Sequence, residues 1–172
     1  MLRASSALRD GGVNYAVVGG NAVAAWVATV DRAAVRNTQD VDVLIRRADF
    51  DAAKKALEHA GFVHRHASGL DLFLDHEGAS PRDAVHIIFA SELVRPGEPS
   101  PNLDVSESSD FGPFRVIDLN ALVRIKLTAF RRKDQVHIMD LIGVGLVDAN
   151  WVERLPPIMA ERLQKLIDTP DG

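Results

Sequence analysis

The sequence predicts an α/β (α+β) fold in which a mixed sheet is followed by a C-terminal helical segment. Apolar stretches of strand length occur mainly before residue 117, and helical periodicity dominates after Asp118. Strands and helices do not alternate as they would in a repeating βαβ array. We therefore expect a sheet region over residues 1–116 and a helical region over residues 117–172 that packs on it as one compact unit.

The composition excludes several classes of protein and several kinds of metal site. The chain has 172 residues, of which 47% are hydrophobic and 26% charged, as in an ordinary globular protein. No apolar run reaches the roughly 20 residues of a membrane helix, and Met1–Ser5 leads directly into charged sequence, so we expect a cytoplasmic protein without a membrane partner. The chain has no cysteine, which excludes disulfides and thiolate zinc sites and favours hard cations with oxygen or imidazole ligands.

The chain begins with a strand, a glycine turn and a helix. Met1–Asp10 is predicted to be a short helix that ends at Gly11-Gly12, and the apolar stretch Asn14–Val18 is predicted to be a strand. Gly19-Gly20 then turns the chain into an alanine-rich helix over Asn21–Thr29. Such a turn leaves backbone N–H groups free to face a ligand.

Two aspartates mark the next strand, which is predicted over Gln39–Ile45. Alternation places Val41, Val43 and Ile45 on one face and Asp40, Asp42 and Leu44 on the other. Carboxylates at positions i and i+2 of a strand lie about 7 Å apart and can share one or two Mg²⁺ ions. The alternative is an exposed strand face, because Asp-x-Asp is a common pattern.

The remaining elements follow from periodicity and from turn residues. A helix is predicted over Asp49–Ala60, and a hairpin joins Phe62–His66 to Leu70–Leu74 through Ser68-Gly69. A strand over Ala84–Ala90 is followed by a long proline-rich loop that continues through Ser106–Asp110. The later elements are a short strand near Phe114–Val116, a helix capped by Asp118 that reaches Phe130, and a helix over Lys133–Val144. A last helix begins at Pro156-Pro157, and its apolar face consists of Ile158, Leu163, Leu166 and Ile167.

A lysine interrupts an apolar helix face. Lys126 falls in the middle of the stripe formed by Leu119, Leu122, Val123 and Phe130. It must either extend to the edge of the face or project into a polar cleft where it meets an anion, and we favour the cleft.

Three basic residues and one acidic residue follow this helix. Asp134 is either a simple N-cap or a residue that orients Lys126. Arg131, Arg132 and Lys133 form either an exposed basic edge or a set of phosphate ligands. The net charge of -4 argues against a protein that coats nucleic acid, so this basic segment is a local feature.

Two stretches carry a family resemblance. The first is the strand Val17-Val18 with Gly19-Gly20-Asn21-Ala22, followed by Arg36-x-Thr38-x-Asp40-x-Asp42. This order resembles the nucleotidyltransferase superfamily built on the DNA polymerase β palm. The second stretch consists of Asp118-Leu119 and Lys126–Asp134, and it is similar to the branch of abortive-infection toxin nucleotidyltransferases. Together the matches span Tyr15 to Asp140.

The resemblance implies a nucleotidyltransferase palm over residues 1–116 and a metal-dependent transfer of NMP from an NTP to an acceptor. The acceptor would be RNA, a protein or a small molecule, and an antitoxin-like protein would be a partner. The metal, Mg²⁺ or Mn²⁺, would bind Asp40 and Asp42. The nucleotide would bind the following residues: Gly19, Gly20, Asn21, Arg36, Thr38, Lys126, Arg131, Lys133 and Asp134.

The chain departs from the family at one place. Members that transfer nucleotides carry a third carboxylate on a later strand, where this sequence presents His86 as the inward polar residue. We therefore predict Asp40, Asp42 and His86 as the catalytic and metal-binding set, unless a different register brings Asp83 there. The alternatives are a half-buried histidine in a nucleotide-binding or toxin–antitoxin-like interaction module that has lost transfer, and a Mn²⁺ or Zn²⁺ hydrolase.

The other histidines are not predicted to be ligands. His137 lies off the centre of its helix stripe, which is typical of a surface or packing residue. His64 and His66 alternate in a strand, but no acidic pattern accompanies them, so we expect surface histidines.

Overall fold

The computed structural model of the protein describes residues 1–36, 38, 40–67 and 69–169, without the side chain of Arg82. Asn37 and Gln39 of the predicted aspartate motif, Ser68 of the predicted hairpin turn and the last residues of the predicted helical region lie outside the described residues. No described helix is long and apolar enough to cross a membrane.

The described strands form one seven-stranded mixed sheet. They are Tyr15–Val18 (β1), Val41–Ile45 (β2), Val63–Ala67 (β3), Leu70–Leu74 (β4), Val85–Phe89 (β5), Ser108–Asp110 (β6) and Arg115–Ile117 (β7). The order is β3-β4-β5-β2-β1-β7-β6. The pairs β2–β5 and β1–β7 are parallel, and the others are antiparallel. The mixed sheet predicted from the sequence is therefore confirmed.

The described ranges contain six α-helices. They are Leu2–Asp10 (α1), Gly19–Ala28 (α2), Phe50–His59 (α3), Leu119–Ala129 (α4), Arg132–Gly143 (α5) and Pro157–Asp168 (α6). Short 3₁₀ segments cover Arg32–Ala34, Arg47–Asp49, Pro81–Asp83 and Ala149–Arg154.

The two faces of β2 belong to different cores. Val41, Val43 and Ile45 are buried with residues of α1 and α3. Leu44 points the other way and is buried with residues of α2, α4, α5 and α6. The predicted alternation of this strand is therefore correct, and Asp42 lies on the face of Leu44.

Residues from both predicted regions share one core. Val18 and Ala22 from the sheet region are buried in the same cluster as Leu122 and Ile138 from the helical region. The boundary between residues 116 and 117 stays a prediction.

The structure differs from the sequence-based prediction at several elements. Ser108–Asp110 is a strand and not loop, because it pairs with β7, and that partner cannot be read from three polar residues. Asp118 is the N-cap residue of α4 as predicted, but its carboxylate accepts a hydrogen bond from the Ser109 hydroxyl and makes no capping hydrogen bond. Ile158 is 43% exposed, and Met159 is buried in its place.

His66 is a surface histidine as predicted, with 60% of its side chain exposed, whereas the side chain of His64 is only 18% exposed. His64 Nε2 and His66 Nδ1 lie 2.8 Å and 3.0 Å from the same Oδ1 atom of Asp71 on β4. His64 also packs edge-on against Phe50. The pairing of β3 with β4 brings the acid to these histidines, although it is not close to them in a recognisable sequence pattern.

Candidate functional site

Gly19 connects β1 to α2 in a conformation that suits only glycine. Its φ is +68°, in the left-handed region, and a β-carbon at this position would lie 2.0 Å from Oδ2 of Asp42. The helix begins at Gly19, so the predicted glycine turn is the first turn of α2 and not a separate turn before Asn21. The N–H groups of a first helical turn have no partner within the helix and are free to bind an anion.

Asp42 and His86 face each other across two parallel strands. They are directly paired in the register of β2 and β5, so their side chains project from the same face of the sheet. His86 Nδ1 lies 3.5 Å from Asp42 Oδ1, and both side chains are about one-fifth exposed (22% and 20%). The same register leaves Asp83 before the strand, in a 3₁₀ segment.

The ionisation of this pair follows from its surroundings. Burial acts to raise the pKa of Asp42, but the hydrogen bond and charge of His86, with the charges of Lys126 and Lys133, lower it below the ordinary value. The hydrogen bond to Asp42 raises the pKa of His86, although burial opposes this. Asp42 is therefore an ionised carboxylate at neutral pH, as a metal ligand must be.

Asp40 lies before β2 and not within it. Its main-chain carbonyl accepts a hydrogen bond of 2.6 Å from the Asn21 side chain, which ties it to α2. The predicted spacing of the Asp40 and Asp42 carboxylates stays a prediction. Asp40 nevertheless lines the same cavity as Asp42.

Lys126 is buried and reaches Asp134. Its side chain is 3% exposed, and Nζ lies 3.2 Å from Oδ1 of Asp134, whose side chain is 1% exposed. Oδ2 of Asp134 accepts hydrogen bonds from Arg131, at 2.7 Å from Nε and 3.2 Å from the main-chain nitrogen. Asp134 is therefore not the simple N-cap, which is Arg131, but the third residue of α5, whose carboxylate completes a capping box and also contacts Lys126.

Burial and the neighbouring groups act in opposite directions on the pKa values of Lys126 and Asp134. Burial lowers the pKa of Lys126, while the charge and hydrogen bond of Asp134 oppose that change. Burial acts to raise the pKa of Asp134, but the hydrogen bond from Arg131 and the charge of Lys126 outweigh it and lower the pKa. The carboxylate thus holds two cations, Lys126 and Arg131, at one end of α5.

These groups surround one cavity of about 690 Å³. The predicted site residues that line it are Gly19, Gly20, Thr38, Asp40, Asp42, His86, Lys126, Arg131 and Lys133. Thr38 lies against Gly20, where a β-carbon would come within 3.0 Å of its hydroxyl. The volume is in the range of small-molecule and cofactor sites in proteins.

Three predicted site residues do not line this cavity. Asn21 holds the carbonyl of Asp40, and Asp134 lies behind Lys126. Arg36 forms an ion pair with Asp140 at 2.9 Å and lines a smaller depression beside the cavity. Their predicted contacts with a nucleotide stay predictions.

His137 lines the cavity although the sequence predicted a surface or packing residue. Its Nδ1 atom is buried and has no hydrogen-bond partner among the described residues. Burial and the charge of Lys126 lower the pKa of His137 to about 4, so the ring is neutral near pH 7. The sequence feature that could have revealed His137 is its position one helical turn after Lys133, on the same face of α5.

The loop after β5 supplies the other wall. Val94, Arg95, Glu98 and Asn102 line the cavity together with the basic groups of α4 and α5. The sequence predicts only a long surface loop here, and the composition of the segment does not indicate that it lines a cavity.

Comparisons with known proteins give evidence at the level of the fold. No protein-family model matches the sequence, and no curated protein matches it. The fold is similar to the solution structure of the antibiotic-resistance factor ANT(2'')-Ia, with a TM-score of 0.55 and 12% identity over 98% of this chain and 89% of that chain. It is also similar to the crystal structure of ANT(2'')-Ia in complex with adenylyl-2''-tobramycin, with a TM-score of 0.53 and 12% identity over 99% of this chain and 95% of that chain.

At this level of identity the likeness concerns the fold alone. It agrees with the palm that the sequence predicts, whereas the branch of abortive-infection toxins stays a prediction. The chain therefore shares the fold of these two ANT(2'')-Ia structures.

Proposed function

We propose that this protein is a metal-dependent nucleotidyltransferase that transfers NMP from an NTP to an acceptor hydroxyl. One observation carries the proposal: the ionised Asp42, the first turn of α2 and three cationic side chains line a single cavity. A fold of this kind hosts such chemistry, but the site and not the fold is the argument for it.

The phosphates of the NTP bind between α2 and the junction of α4 with α5. The free N–H groups of the first turn of α2 lie on one side, at Gly19 and Gly20. Lys126, Arg131 and Lys133 lie on the other side and neutralise the triphosphate. Asp134 keeps Lys126 and Arg131 in place.

The residues present fit a divalent cation. Mg²⁺ is commonly held by one or two carboxylates together with substrate phosphates and water, and Asp40 and Asp42 both line the cavity. The described residues contain no group of three or more acidic or histidine ligands, so the protein would not hold the ion alone. Bound there, Mg²⁺ or Mn²⁺ would neutralise phosphate charge and orient the NTP.

The transfer itself is an in-line displacement. The acceptor oxygen attacks the α-phosphorus, a new P–O bond forms, and pyrophosphate leaves with the bonding electrons of the old bond. The hydroxyl proton passes to the imidazole of His86, which lies beside Asp42 and acts as the base above its raised pKa.

RNA, a protein and a small molecule all remain candidate acceptors. ANT(2'')-Ia has been crystallised with adenylyl-2''-tobramycin, which makes small hydroxylated molecules the first class to test.

A second candidate function has its own supporting observation. His86 occupies the third position of the site, where it contacts Asp42 and contributes no negative charge. This favours a nucleotide-binding or toxin–antitoxin-like interaction module that binds an NTP without transferring it, with an antitoxin-like protein as partner.

Isothermal titration with MgCl₂ and each NTP tests the site. We expect the wild-type protein to bind at least one NTP, and we expect Asp42→Asn and Asp40→Ala to lose that binding. Asp51→Asn, an exposed aspartate on α3, is the control for a lost negative charge. Equal binding by wild type and Asp42→Asn would refute the assigned site.

Incubation with α-³²P-labelled NTPs separates the two functions. Label on an RNA, protein or small-molecule acceptor identifies a transferase. Clear NTP binding without label on any acceptor class supports the binding module.

A further inference from the structure

The last helix reaches back to the helix that carries Lys126. Arg162 of α6 is half-buried, and its Nη1 donates hydrogen bonds to the carbonyl oxygens of Leu127 at 2.6 Å and Thr128 at 2.8 Å. Both carbonyls belong to the last turn of α4. Carbonyls in that turn have no partner within the helix, so Arg162 satisfies groups that would otherwise be unpaired.

The C-terminal end of α4 borders the cavity, and its partial negative charge is unfavourable for a phosphate. Lys126, Thr128 and Ala129 from the last turn of α4 all line the cavity. The C-terminus of a helix carries a partial negative charge, which repels an anion placed near it. The guanidinium of Arg162 bonds directly to that terminus and offsets its charge.

Arg162 also contacts the residue that turns the chain toward Arg131. Phe130 has φ 46° and ψ 31°, a left-handed conformation that is unfavourable for a bulky side chain and is usually occupied by glycine at a helix end. The guanidinium carbon of Arg162 lies 5.0 Å from the centre of the Phe130 ring. The carbonyl of Phe130 accepts a hydrogen bond from the side chain of Gln135 at 3.1 Å.

The geometry points to Arg162 as a positioning residue for the phosphate site. It offsets the negative end of α4 and holds Phe130 in its strained conformation, so that Lys126, Arg131 and Lys133 project toward the same phosphates. This inference rests on the proposed function, because it assumes that the cations of the α4–α5 junction bind a phosphate chain.

Isothermal titration of the full chain with inorganic tripolyphosphate in MgCl₂ tests the role of Arg162, at a temperature well below the unfolding of every variant. We expect Arg162→Gln to weaken binding by about five-fold, the scale of a helix-terminus charge. Lys165→Gln on the same helix removes an exposed cation without such contacts and should leave binding unchanged.

A conservative variant separates charge from folding. Arg162→Lys keeps the positive charge but not the planar fork, and it should recover most of the lost affinity. A merely structural role would lower the melting temperature without changing affinity in the folded protein. If Arg162→Gln does not fold, Arg162→Lys carries the test, with binding expected about two-fold weaker than in the wild type.

The outcomes distinguish this inference from the proposed function. If the wild-type protein binds neither tripolyphosphate nor any NTP, the proposed function fails and the inference with it. If the wild type binds and folded Arg162→Gln binds equally well, only the role of Arg162 is overturned. Weakening of the same size by Lys165→Gln would also overturn it, because a general loss of positive charge would then explain the effect.

Discussion

Gly19 and Asp42 are packed so closely that a β-carbon at position 19 would lie 2.0 Å from the Oδ2 atom of Asp42. The contact joins the start of α2 to the carboxylate of β2, so the N–H groups that suit phosphate and the oxygen that suits a metal lie side by side. It also makes Gly19 the position where a single methyl group should disturb both.

Gly19→Ala should therefore abolish NTP binding in MgCl₂. The variant combines a left-handed backbone, which costs an L-residue about 1–2 kcal/mol, with a clash that must move Asp42. Gly12→Ala is the matched control, because Gly12 has the same φ of +68° and no atom within 4 Å of its β-carbon position. Titration calorimetry and urea unfolding measure both effects. NTP binding by Gly19→Ala equal to that of Gly12→Ala would show that the Asp42 contact is unimportant.

A second prediction concerns the position of the missing carboxylate. His86→Asp should increase NMP transfer by at least about tenfold, because a carboxylate then occupies the third position beside Asp42. It should also make stability depend on metal, since two close carboxylates repel each other until a cation binds between them. Label transfer and the gain in melting temperature on adding MgCl₂ measure these effects.

His76→Asp adds the same charge at an exposed position away from the site and should change neither quantity. Unchanged transfer by His86→Asp, with NTP binding intact, would instead favour the binding module.

The third prediction concerns the stability of the buried ion pair. Asp134→Asn should lower the free energy of unfolding by about 3–5 kcal/mol, because Lys126 is only 3% exposed and loses the carboxylate that compensates its charge. Lys126→Met combined with Asp134→Asn should recover part of this loss. Glu58→Gln breaks an exposed pair with Lys54 and should cost much less. Urea unfolding at pH 7 checks the order, and equal losses for Asp134→Asn and Glu58→Gln would contradict it.

The same carboxylate gives a fourth prediction, on pH. The pKa of Asp134 is lowered in the folded protein, since the hydrogen bond from Arg131 and the charge of Lys126 outweigh burial. A lowered carboxyl pKa contributes stability above the unfolded value of about 3.9 and loses it as the pH falls through the folded pKa. His137, whose pKa is lowered to about 4, titrates in the same range, so the comparison with Asp134→Asn is needed to separate the contribution of the carboxyl group.

The advantage of wild type over Asp134→Asn should therefore be constant from about pH 5 to 8 and shrink below about pH 4. Urea unfolding of both proteins across this range measures the difference. Parallel stability curves down to pH 3 would show that Asp134 does not titrate with folding.

The fifth prediction tests a residue that the sequence placed in the nucleotide site. Arg36→Gln should leave NTP affinity nearly unchanged, because Arg36 pairs with Asp140 outside the cavity and its side chain is 70% exposed. Arg131→Gln, within the cavity, should weaken binding by about tenfold. Titration with the NTP that the wild type binds compares them. Equal weakening would mean that Arg36 reaches the nucleotide after all.

Local sequence pattern was sufficient for the parts of this protein that depend on which side of an element faces inward. Alternation in β2 and β5 placed Asp42 and His86 on inward-facing positions, and helical periodicity revealed Lys126 as a cation on an apolar face. These predictions succeed because the period of a strand or a helix is set by the backbone itself.

Tertiary structure decided which groups meet. The strand Ser108–Asp110 exists because β7 lies beside it, and His137 belongs to the cavity because α5 packs against α2 and α4. Phe130 keeps a left-handed conformation next to Arg162, which lies 32 positions later in the chain. The sequence by itself determined the strand faces, the glycine turn and the position of Lys126 on an apolar helix face. Long-range packing decided the partners of these groups, because a contact between distant segments depends on the whole fold and produces no local periodicity in the sequence.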